Sequence, residues 1–572
     1  KRILCGISFL LAVIYGMVGT TSIVEAVIAP ASYVIYKDGT TYYAQNGQTG
    51  VNDYSGTNAA TVTQSVLNAL STTGGKIFFK KGTYDFGTSG MITLVSNLEM
   101  VFENGFLGVF NAPLAGSLQI FRGDNIENVT FRGGKWTGLQ QPLNYNSVIG
   151  FGSVAQAKTA KNIIVEDMTT NWIGPGGFEN SQKIIWRNNR VGTETGNTMG
   201  SGPSADTCED VLIEGNYGYF YDSGPLIARS KKVTISNNIY IGSQNDFGVG
   251  IDIIQQYNTD VIEDITITNN ILRGKFGQPA IVLHDTGNPM TSGYWRRIVI
   301  ANNQIYGPES KDISTRPSGI GLGPITRMNG LVIEGNIVEH KDRGIVLGPV
   351  TGNPLYGAII TGNVLNDITY NGIEARIGGG AALQNAIISN NFVTALHDGV
   401  NYSMSAIDLY GVNCLIEGNI IVEVPLEGSA SPMTALYLSA NSTGNRIFTN
   451  TFLTTAKLSS PSANLASLGT FRNNVGYNPF GNIANPFDTV NNTLIPYGNT
   501  ATPISSTDYT VGMVDMIINS SGGTGVSITI KDPNGNTIAS GLSTLTLVSL
   551  PIGFKINFGG FSSAPTVIVS GN

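Results

Sequence analysis

The chain is poor in charge, cysteine and histidine. Of its 572 residues only 12% are charged, and three are cysteine and three histidine. The net charge is −7 and there is no run of basic residues, which argues against nucleic-acid binding. The hydrophobic content of 41% is too high for a disordered chain. The sequence therefore predicts a folded protein that does not bind nucleic acid.

The scarcity of cysteine excludes a disulfide framework. Cys208 and Cys414 are separated by about seven of the repeats described below, at about 4.8 Å per strand. They would lie over about 30 Å apart, which is too far for a disulfide. A long repeat protein can fold without disulfides because its core is continuous.

The N-terminal segment is typical of a secretory signal. Lys1 and Arg2 precede an apolar run over residues 3–18, and Val24-Glu-Ala26 follows. We expect residues 1–26 to be removed after Ala26, which leaves a secreted, extracellular or cell-surface protein with no membrane attachment. A retained membrane anchor is the alternative, although the run is shorter than the ~20 residues that span a bilayer.

The chain does contain a short repeated phrase that ends in asparagine. Alternating β-formers and a small or acidic residue precede the Asn, as in Val233-Thr-Ile-Ser-Asn-Asn238. The final asparagines are Asn189, Asn216, Asn238, Asn270, Asn303, Asn336, Asn363, Asn391 and Asn419. Their spacing lies between 22 residues (Asn216 to Asn238) and 33 residues (Asn270 to Asn303). One strand-like unit in each such period predicts a solenoid, in which the stacked asparagines stabilise a bend.

A second phrase follows each asparagine and has apolar residues at i and i+2. Val249-Gly-Ile-Asp-Ile253 and Arg343-Gly-Ile-Val-Leu347 are examples. No segment between the units has a sustained helical period. The two ladders predict an all-β fold, a parallel β-helix of about 11 to 13 coils over residues 95–475. Its inward column should contain Val233, Ile235, Ile265, Ile267, Ile298 and Ile300.

The start of the solenoid carries a resemblance to a known superfamily. Residues 57–70 have apolar residues at helical spacing, with Thr57 or Asn58 as N-cap, and Gly74-Gly-Lys-Ile-Phe-Phe-Lys-Lys-Gly-Thr-Tyr84 follows as turn, strand and turn. This order resembles the start of pectate-lyase-like proteins, which include polygalacturonases, pectate lyases and phage tailspike depolymerases. The resemblance covers about residues 33–475 and implies a right-handed β-helix that acts on acidic or neutral polysaccharides. We expect the helix to cap its N-terminal end.

The repeat fades after Thr451, and the pattern indicates four segments. They are a signal over 1–26, the β-helix with its cap over 27–475, a linker over 476–504 and a small β-sandwich over 505–572. The last segment contains an Asn534-Gly535 turn between two strands, which is typical of antiparallel hairpins. Its role could be glycan binding, oligomer contact or capping.

Candidate functional residues lie at outward positions of the second phrase. Arg229, Asp252 and His284 fall on three successive repeats, and Asp285 follows His284. Asp252 and His284 are the candidate catalytic residues, and Arg229 and Asp285 the candidate substrate-binding residues. On the next repeats Gly321, Gly323 and Gly348 should leave a flat wall against which a polymer could lie. The bland alternative is that these are solvated edge residues.

Two further aspartates are suggested by the resemblance. Tyr221-Asp-Ser-Gly224 and Gln244-Asn-Asp-Phe-Gly248 are similar to the polygalacturonase run of Asn-Thr-Asp-Gly, strand and Gly-Asp-Asp. The resemblance implies that Asp222 and Asp246 are catalytic carboxylates of an inverting hydrolase. Asn245 stands where that family has its acid, and an amide cannot donate a proton as an acid.

A second set of polar residues lies about four repeats higher, roughly 19 Å away. Its members are Glu374, Arg376, His397, Asp398 and Asp408. Glu374 and Arg376 are candidate substrate-binding residues, although on one strand they could simply pair with each other.

The sequence leaves two functions open. One is an extracellular enzyme that cleaves a polysaccharide with carboxylates, either a hydrolase or a lyase. No metal or cofactor is expected, except Ca²⁺ if the protein is a lyase. The alternative is a non-catalytic surface or adhesive protein with a stiff rod. The partner is a polysaccharide in the first case, and oligomerisation stays open in both.

Overall fold

The computed structural model describes most of the chain between residues 31 and 453 and shorter strands beyond. The described ranges are 31–88, 91–111, 118–139, 146–192, 199–242, 248–257, 259–286, 293–308, 318–325, 328–349, 354–375, 382–397, 405–425, 434–439, 442–453, 457–459 and 469–472, then eight strands between 499 and 571. The predicted signal, Asn245, Asp246, Arg376 and Asp398 lie outside the described residues, as does most of the predicted linker.

Each coil of the structure contributes to three parallel sheets. The first sheet ends at the repeated asparagine. Its strands are Gly75–Phe79, the starts of Leu98–Phe110 and Ile126–Gly138, Ala160–Glu166, Ser181–Arg187, Glu209–Glu214, Lys231–Ser236, Val261–Thr268, Tyr294–Ala301, Met328–Glu334, Leu355–Tyr356 with Ile359–Thr361, Leu383–Gln384 with Ile387–Ser389, Gly411–Val412 with Leu415–Glu417, Asn445–Phe448 and Gly469–Arg472. An antiparallel meander of Tyr33–Asp38, Thr41–Asn46 and Asn52–Gly56 adds to its start.

The second sheet begins directly after the asparagine and was not recognised in the sequence. Its strands are Gly82–Asp85, the ends of Leu98–Phe110 and Ile126–Gly138, Thr169–Asn171, Arg190–Val191, Tyr217–Ser223, Ile239–Gly242, Ile271–Gly274, Gln304–Tyr306, the starts of Ile337–Pro349 and Val364–Ala375, Phe392–His397, Ile420–Pro425 and Thr451–Leu453. The short strand Met199–Ser201 pairs with Tyr217–Ser223.

The third sheet contains the second repeated phrase. Its strands are Ile92–Thr93, Gln119–Gly123, Ser147–Phe151, Gly174–Glu179, Ser204–Asp206, Leu226–Ala228, Ile251–Gln255, Ile281–Asp285, Ile320–Ile325, the ends of Ile337–Pro349 and Val364–Ala375, Ser405–Leu409, Thr434–Leu438 and Lys457–Ser459.

The core is a set of columns that run along the axis of the coil. Val233 is in register with Ile265, which is in register with Ile298, and Ile235, Ile267 and Ile300 form the next column inward. All six side chains are fully buried, which confirms the predicted inward face. Each buried aliphatic side chain stabilises the fold by about 1.5–3 kcal/mol relative to an exposed one.

The asparagines form a buried ladder at the corner between the first and second sheets. The Asn270 carboxamide donates to Asn303 Oδ1 at 2.9 Å and to the Ile235 carbonyl at 2.9 Å, while Asn238 donates to Asn270 Oδ1 at 2.8 Å. The preceding residue has positive φ at each such corner, as at Asn302 with φ 56° and Gly335 with φ 62°. The ladder therefore satisfies the polar groups of the bend, in agreement with the structural role predicted for it.

The N-terminal helix spans Ala59–Ala69. Asn58 is its N-cap and accepts a hydrogen bond from the Thr61 backbone N–H at 3.0 Å. Gln64 ties the helix to the first coil, because its side-chain oxygen accepts from the Thr93 backbone N–H at 2.7 Å. That this helix caps the solenoid stays a prediction.

The C-terminal strands form two antiparallel four-stranded sheets. One contains Asn499–Ala501, Thr566–Gly571, Met516–Ser521 and Leu545–Leu550, and the other contains Asp508–Thr510, Lys555–Gly559, Ser527–Lys531 and Thr537–Leu542. Strand pairing here is antiparallel throughout, unlike that of the coils. That the two sheets pack as a sandwich over 505–572 stays a prediction, as do the domain boundaries.

The two cysteines within the described ranges are free and buried. Burial raises the pKa of the Cys208 thiol to about 12, and it also raises the pKa of Cys414. Both remain unbridged, as their spacing predicts. In the described part of the chain, no helix has both the length and the hydropathy to span a bilayer.

Candidate functional site

The outer face of the third sheet carries one column of side chains across nine coils. Its members, in register, are Ser204, Leu226, Asp252, Val282, Gly321, Val346, Glu374, Asp408 and Tyr437. On the coil before Asp252 the member of the column is Leu226. Ile227 is fully buried and faces the core.

The structure brings the side chains of Asp252 and His284 into contact. His284 Nε2 lies 3.1 Å from Asp252 Oδ1, on adjacent coils. The Asp252 side chain is 11% exposed and that of His284 is 31% exposed, so the pair is accessible only from the outer face. The hydrogen bond with Asp252 raises the pKa of His284, although burial opposes the shift, and the nearby charge of Asp285 adds to it. The imidazole therefore keeps its proton to a higher pH than a free histidine does.

A groove with a volume of about 480 Å³ lies beside this pair. It is lined by Val249, Asp252, Gln278, Pro279, Val282, His284, Ser318, Gly321, Leu322, Gly323 and Val346. The lining combines aliphatic side chains with a few convergent polar groups, a composition typical of ligand sites. The predicted site residues Asp252 and His284 thus contribute to a real concave surface.

The glycines of the groove do more than leave a flat wall. A Cβ added to Gly321 would lie 2.5 Å from Pro279 Cγ, and one added to Gly323 would lie 2.8 Å from His284 Cβ. The space that a side chain would need at Gly321 is therefore filled by the Pro279 ring, and the space at Gly323 is filled by the Cβ of His284. At Gly348 the one atom within 4 Å would be the Leu322 carbonyl oxygen at 3.1 Å, a tight contact but a less crowded one than at Gly321 or Gly323.

Arg229 lies at the edge of the sheet and not in the outward column. It follows the strand with φ 52°, and its Nε lies 2.6 Å from Asp206 Oδ1. Its guanidinium also stacks 4.9 Å from the ring centroid of Tyr257, which is 55% exposed. The prediction that Arg229 occupies an outward strand position beside Asp252 and His284 is therefore wrong, because the strand ends at Ala228 and the corner begins at Arg229.

Asp285 faces the interior of the coil. Its carboxylate accepts a hydrogen bond from the Trp295 indole N–H at 2.9 Å, and the residue is 6% exposed. Strand alternation explains this placement, since His284 beside it faces outward. The negative charge of Asp285 therefore acts on His284 from the interior of the coil. An inward-facing carboxylate does not fit the predicted role in substrate binding.

The polygalacturonase-like aspartates are Asp222 and Asp246. Asp222 belongs to the strand Tyr217–Ser223 of the second sheet. Asn245 and Asp246 lie outside the described residues. Their catalytic roles stay predictions of the resemblance.

The second polar set lies at the upper end of the same column. Glu374 Oε2 lies 2.8 Å from Arg343 Nε and accepts from the Asn371 carboxamide at 2.9 Å. The Arg343 guanidinium stacks 4.5 Å from the ring centroid of Tyr370. Glu374 therefore pairs with Arg343 of the coil before, while the pairing offered with Arg376 falls outside the described residues and stays a prediction. His397 lies in the strand Phe392–His397, and Asp408 is the next buried member of the column.

Several residues of this face were missed in the sequence. Asp206 lies in the three-residue strand Ser204–Asp206, which is too short to give a pattern. Gln278, Pro279 and Ser318 precede their strands, where periodicity gives no signal. Arg343 stands at the start of a repeated phrase and could have been found there. Within the described ranges no group of three or more potential metal-ligating side chains occurs.

Comparison with solved structures identifies the fold. No protein-family profile matches the chain, and no curated protein matches it. The tailspike protein of Escherichia coli bacteriophage HK620, solved in complex with a hexasaccharide, matches with a TM-score of 0.50 and 13% identity over 90% of each chain.

Two further solved structures match with lower scores. DFA-IIIase from Arthrobacter chlorophenolicus A6 has 12% identity and a TM-score of 0.39, over 68% of this chain and 90% of that one. An exopolygalacturonase from Thermotoga maritima has 12% identity and a TM-score of 0.33, over 66% of this chain and 87% of that one. The column geometry and the tailspike match together identify the chain as a right-handed parallel β-helix protein.

Proposed function

We propose that this protein is a secreted carbohydrate-active β-helix that binds an extracellular polysaccharide in the groove of the third sheet and cleaves it by acid–base chemistry. The observation that carries the proposal is the hydrogen-bonded pair of Asp252 and His284 at the edge of that groove. The tailspike that shares the fold was solved with a bound hexasaccharide, which makes polysaccharides the first ligand class to test.

In the proposed reaction His284 is the proton donor. Its pKa is raised by Asp252, so a larger share of the imidazole is protonated near neutral pH than in free histidine. Asp252 holds the ring by its Nε2 and stabilises the positive charge. A protonated imidazole within reach of a glycosidic oxygen supplies the acid that an amide at Asn245 cannot.

Hydrolysis also needs a group that activates water. Inverting glycosidases use a second carboxylate about 6.5–9.5 Å from the acid. Asp222 and Asp246 are the candidates that the resemblance supplies for this base. A lyase reaction would instead use His284 as a base and require Ca²⁺ against an acidic sugar.

Glycan binding without cleavage is the second candidate function. Among the described residues that line the groove, Asp252 is the only carboxylate. That observation favours a surface or adhesive protein that holds a glycan along a stiff rod.

The test is activity on a panel of plant, microbial and algal polysaccharides, with and without Ca²⁺. Reducing-end release should be lost in Asp252→Asn and His284→Gln. Asp408→Asn is the matched control, because Asp408 is a buried aspartate of the same column several coils higher. Equal activity in all three variants would remove the site. Binding by the wild type without cleavage would favour the second function.

A further inference from the structure

The middle of the outward column is apolar between two paired carboxylates. Asp252 is bound by His284 at one end, and Glu374 is bound by Arg343 at the other. Four coil steps separate them, or about 19 Å at the usual strand spacing. The positions between them are Val282, Gly321 and Val346.

The walls beside this stretch are apolar as well. Val249 and Pro279 line the groove next to Val282, and the Pro279 ring rests on Gly321. The polar side chains are gathered around it, with Gln278 and Ser318 at the strand starts and the Asp252–His284 pair at the lower end. A ligand that fills the groove therefore places its centre against carbon and its hydroxyl groups against the edge.

This distribution selects among sugars. The ring substituents of an ordinary hexose are hydroxyl groups, which lose water without gaining a partner when they face valine. The carboxylate of a uronic acid would have a larger free-energy cost, since it would lose water close to the negative charge of Asp252. A methyl group of a 6-deoxy or N-acetyl sugar gains free energy on the same surface.

We infer that the groove binds a neutral glycan with methyl-bearing sugars, 6-deoxy or N-acetylated, and that methyl groups of the ligand pack against Val282 and against Val346. The inference rests on the proposed function, because it names the substrate class of the same groove. It contrasts with the acidic polysaccharides that the superfamily resemblance also allows.

The test is binding of the full chain to a glycan array with neutral, N-acetylated, 6-deoxy and uronic-acid oligosaccharides. We expect the strongest signals from the N-acetylated or the 6-deoxy class. Matched pairs separate the two sources of the methyl group: chito- against cello-oligosaccharides for N-acetyl, and D-rhamno- against D-manno-oligosaccharides, which share one configuration, for 6-deoxy. Each buried methyl should strengthen binding about fourfold, from ~0.8 kcal/mol per group.

A pair of variants ties the preference to the groove. Val282→Thr exchanges a methyl for a hydroxyl at constant shape and should reduce the preference within each matched pair. Val299→Thr is the control, since Val299 is a half-buried outward residue of the first sheet, and it should leave binding unchanged.

Other outcomes have distinct meanings. If uronic-acid glycans bind best and Val282→Thr weakens them, the inferred substrate class is wrong while the proposed function stands. If methyl-bearing glycans bind equally to both variants, the groove is not their site and the inference is overturned. If no glycan of any class binds, the inference and the proposed function both fail.

Discussion

His284 bonds to Asp252 diagonally across two neighbouring strands. The residue directly opposite His284 on the neighbouring strand is Ile254, two residues after Asp252. A diagonal contact needs a side chain long enough to cross about one coil, and the imidazole reaches the carboxylate at 3.1 Å. The contact depends on the position of the His284 side chain, which in turn is set by the residue on the next coil. Gly323 is that residue.

The first prediction concerns this glycine. Gly323→Ala should reduce glycan turnover or binding at least tenfold, because the new methyl would lie 2.8 Å from His284 Cβ and displace the ring from Asp252. Gly348→Ala is the control one coil higher, where the nearest atom is a carbonyl oxygen at 3.1 Å. Steady-state kinetics and binding of both variants check the prediction, and equal losses would contradict it.

The second prediction concerns pH. The pKa of His284 is raised by its bond to Asp252, so this pair contributes stability that is fully present below the unfolded histidine pKa of about 6.5 and is lost as pH rises through the folded value. Asp252→Asn should therefore lower the free energy of unfolding by about 1 kcal/mol more at about pH 5.5 than at about pH 8.5. Urea denaturation at the two pH values measures this difference.

The charge of Asp285 also raises the pKa of His284, and Asp285 remains in that variant. The matching control is therefore the same measurement in a His284→Gln background, where the pH-dependent part of the Asp252→Asn effect should disappear. A pH-dependent effect of equal size in that background would show that His284 is not the titrating group.

The third prediction separates two adjacent asparagines. Asn303→Gly should destabilise the protein by about 2–4 kcal/mol, because the buried carboxamide bonds to Asn336, to the Ile267 carbonyl and to Asn270. Asn302→Gly should change stability by less than about 1 kcal/mol, since Asn302 has φ 56° and glycine stands at the equivalent Gly335. Chemical denaturation compares the two, and similar losses would argue against the ladder.

The fourth prediction concerns the C-terminal strands. A chain that ends at residue 475 should keep the parallel coils folded, because each coil is stabilised by its neighbours. Circular dichroism and the cooperativity of thermal unfolding test this expectation. Loss of a cooperative transition, or failure of secretion, would instead show that the C-terminal sheets are an obligatory cap.

The fold was predictable because its signals repeat. Ile265 and Ile298 occur at the same place in successive units, and Asn270 and Asn303 end those units. The pattern recurs in too many units to be a coincidence. The second sheet was missed because its strands are short and follow the asparagine without a turn signal, as Ile239–Gly242 does.

The site was less predictable because corners vary in length. Arg229 looked like a strand residue, but its own φ of 52° places it in the corner, and the strand ends at Ala228. Asp285 looked accessible beside His284, but alternation turns it toward Trp295. Pro279 reaches the groove from a corner, where no periodic pattern indicates which way a side chain points.

The two buried thiols can report local opening of the coil at two separate places. Cys208 and Cys414 lie on distant coils, and each reacts with a thiol reagent only when its own stretch of the coil opens. In a Cys5→Ser background the labelling rate of Cys208 measures how often the lower coils open, and that of Cys414 measures how often the upper coils open. Equal rates would mean that the coils open together. Unequal rates would mean that unfolding begins at the end whose cysteine is labelled faster.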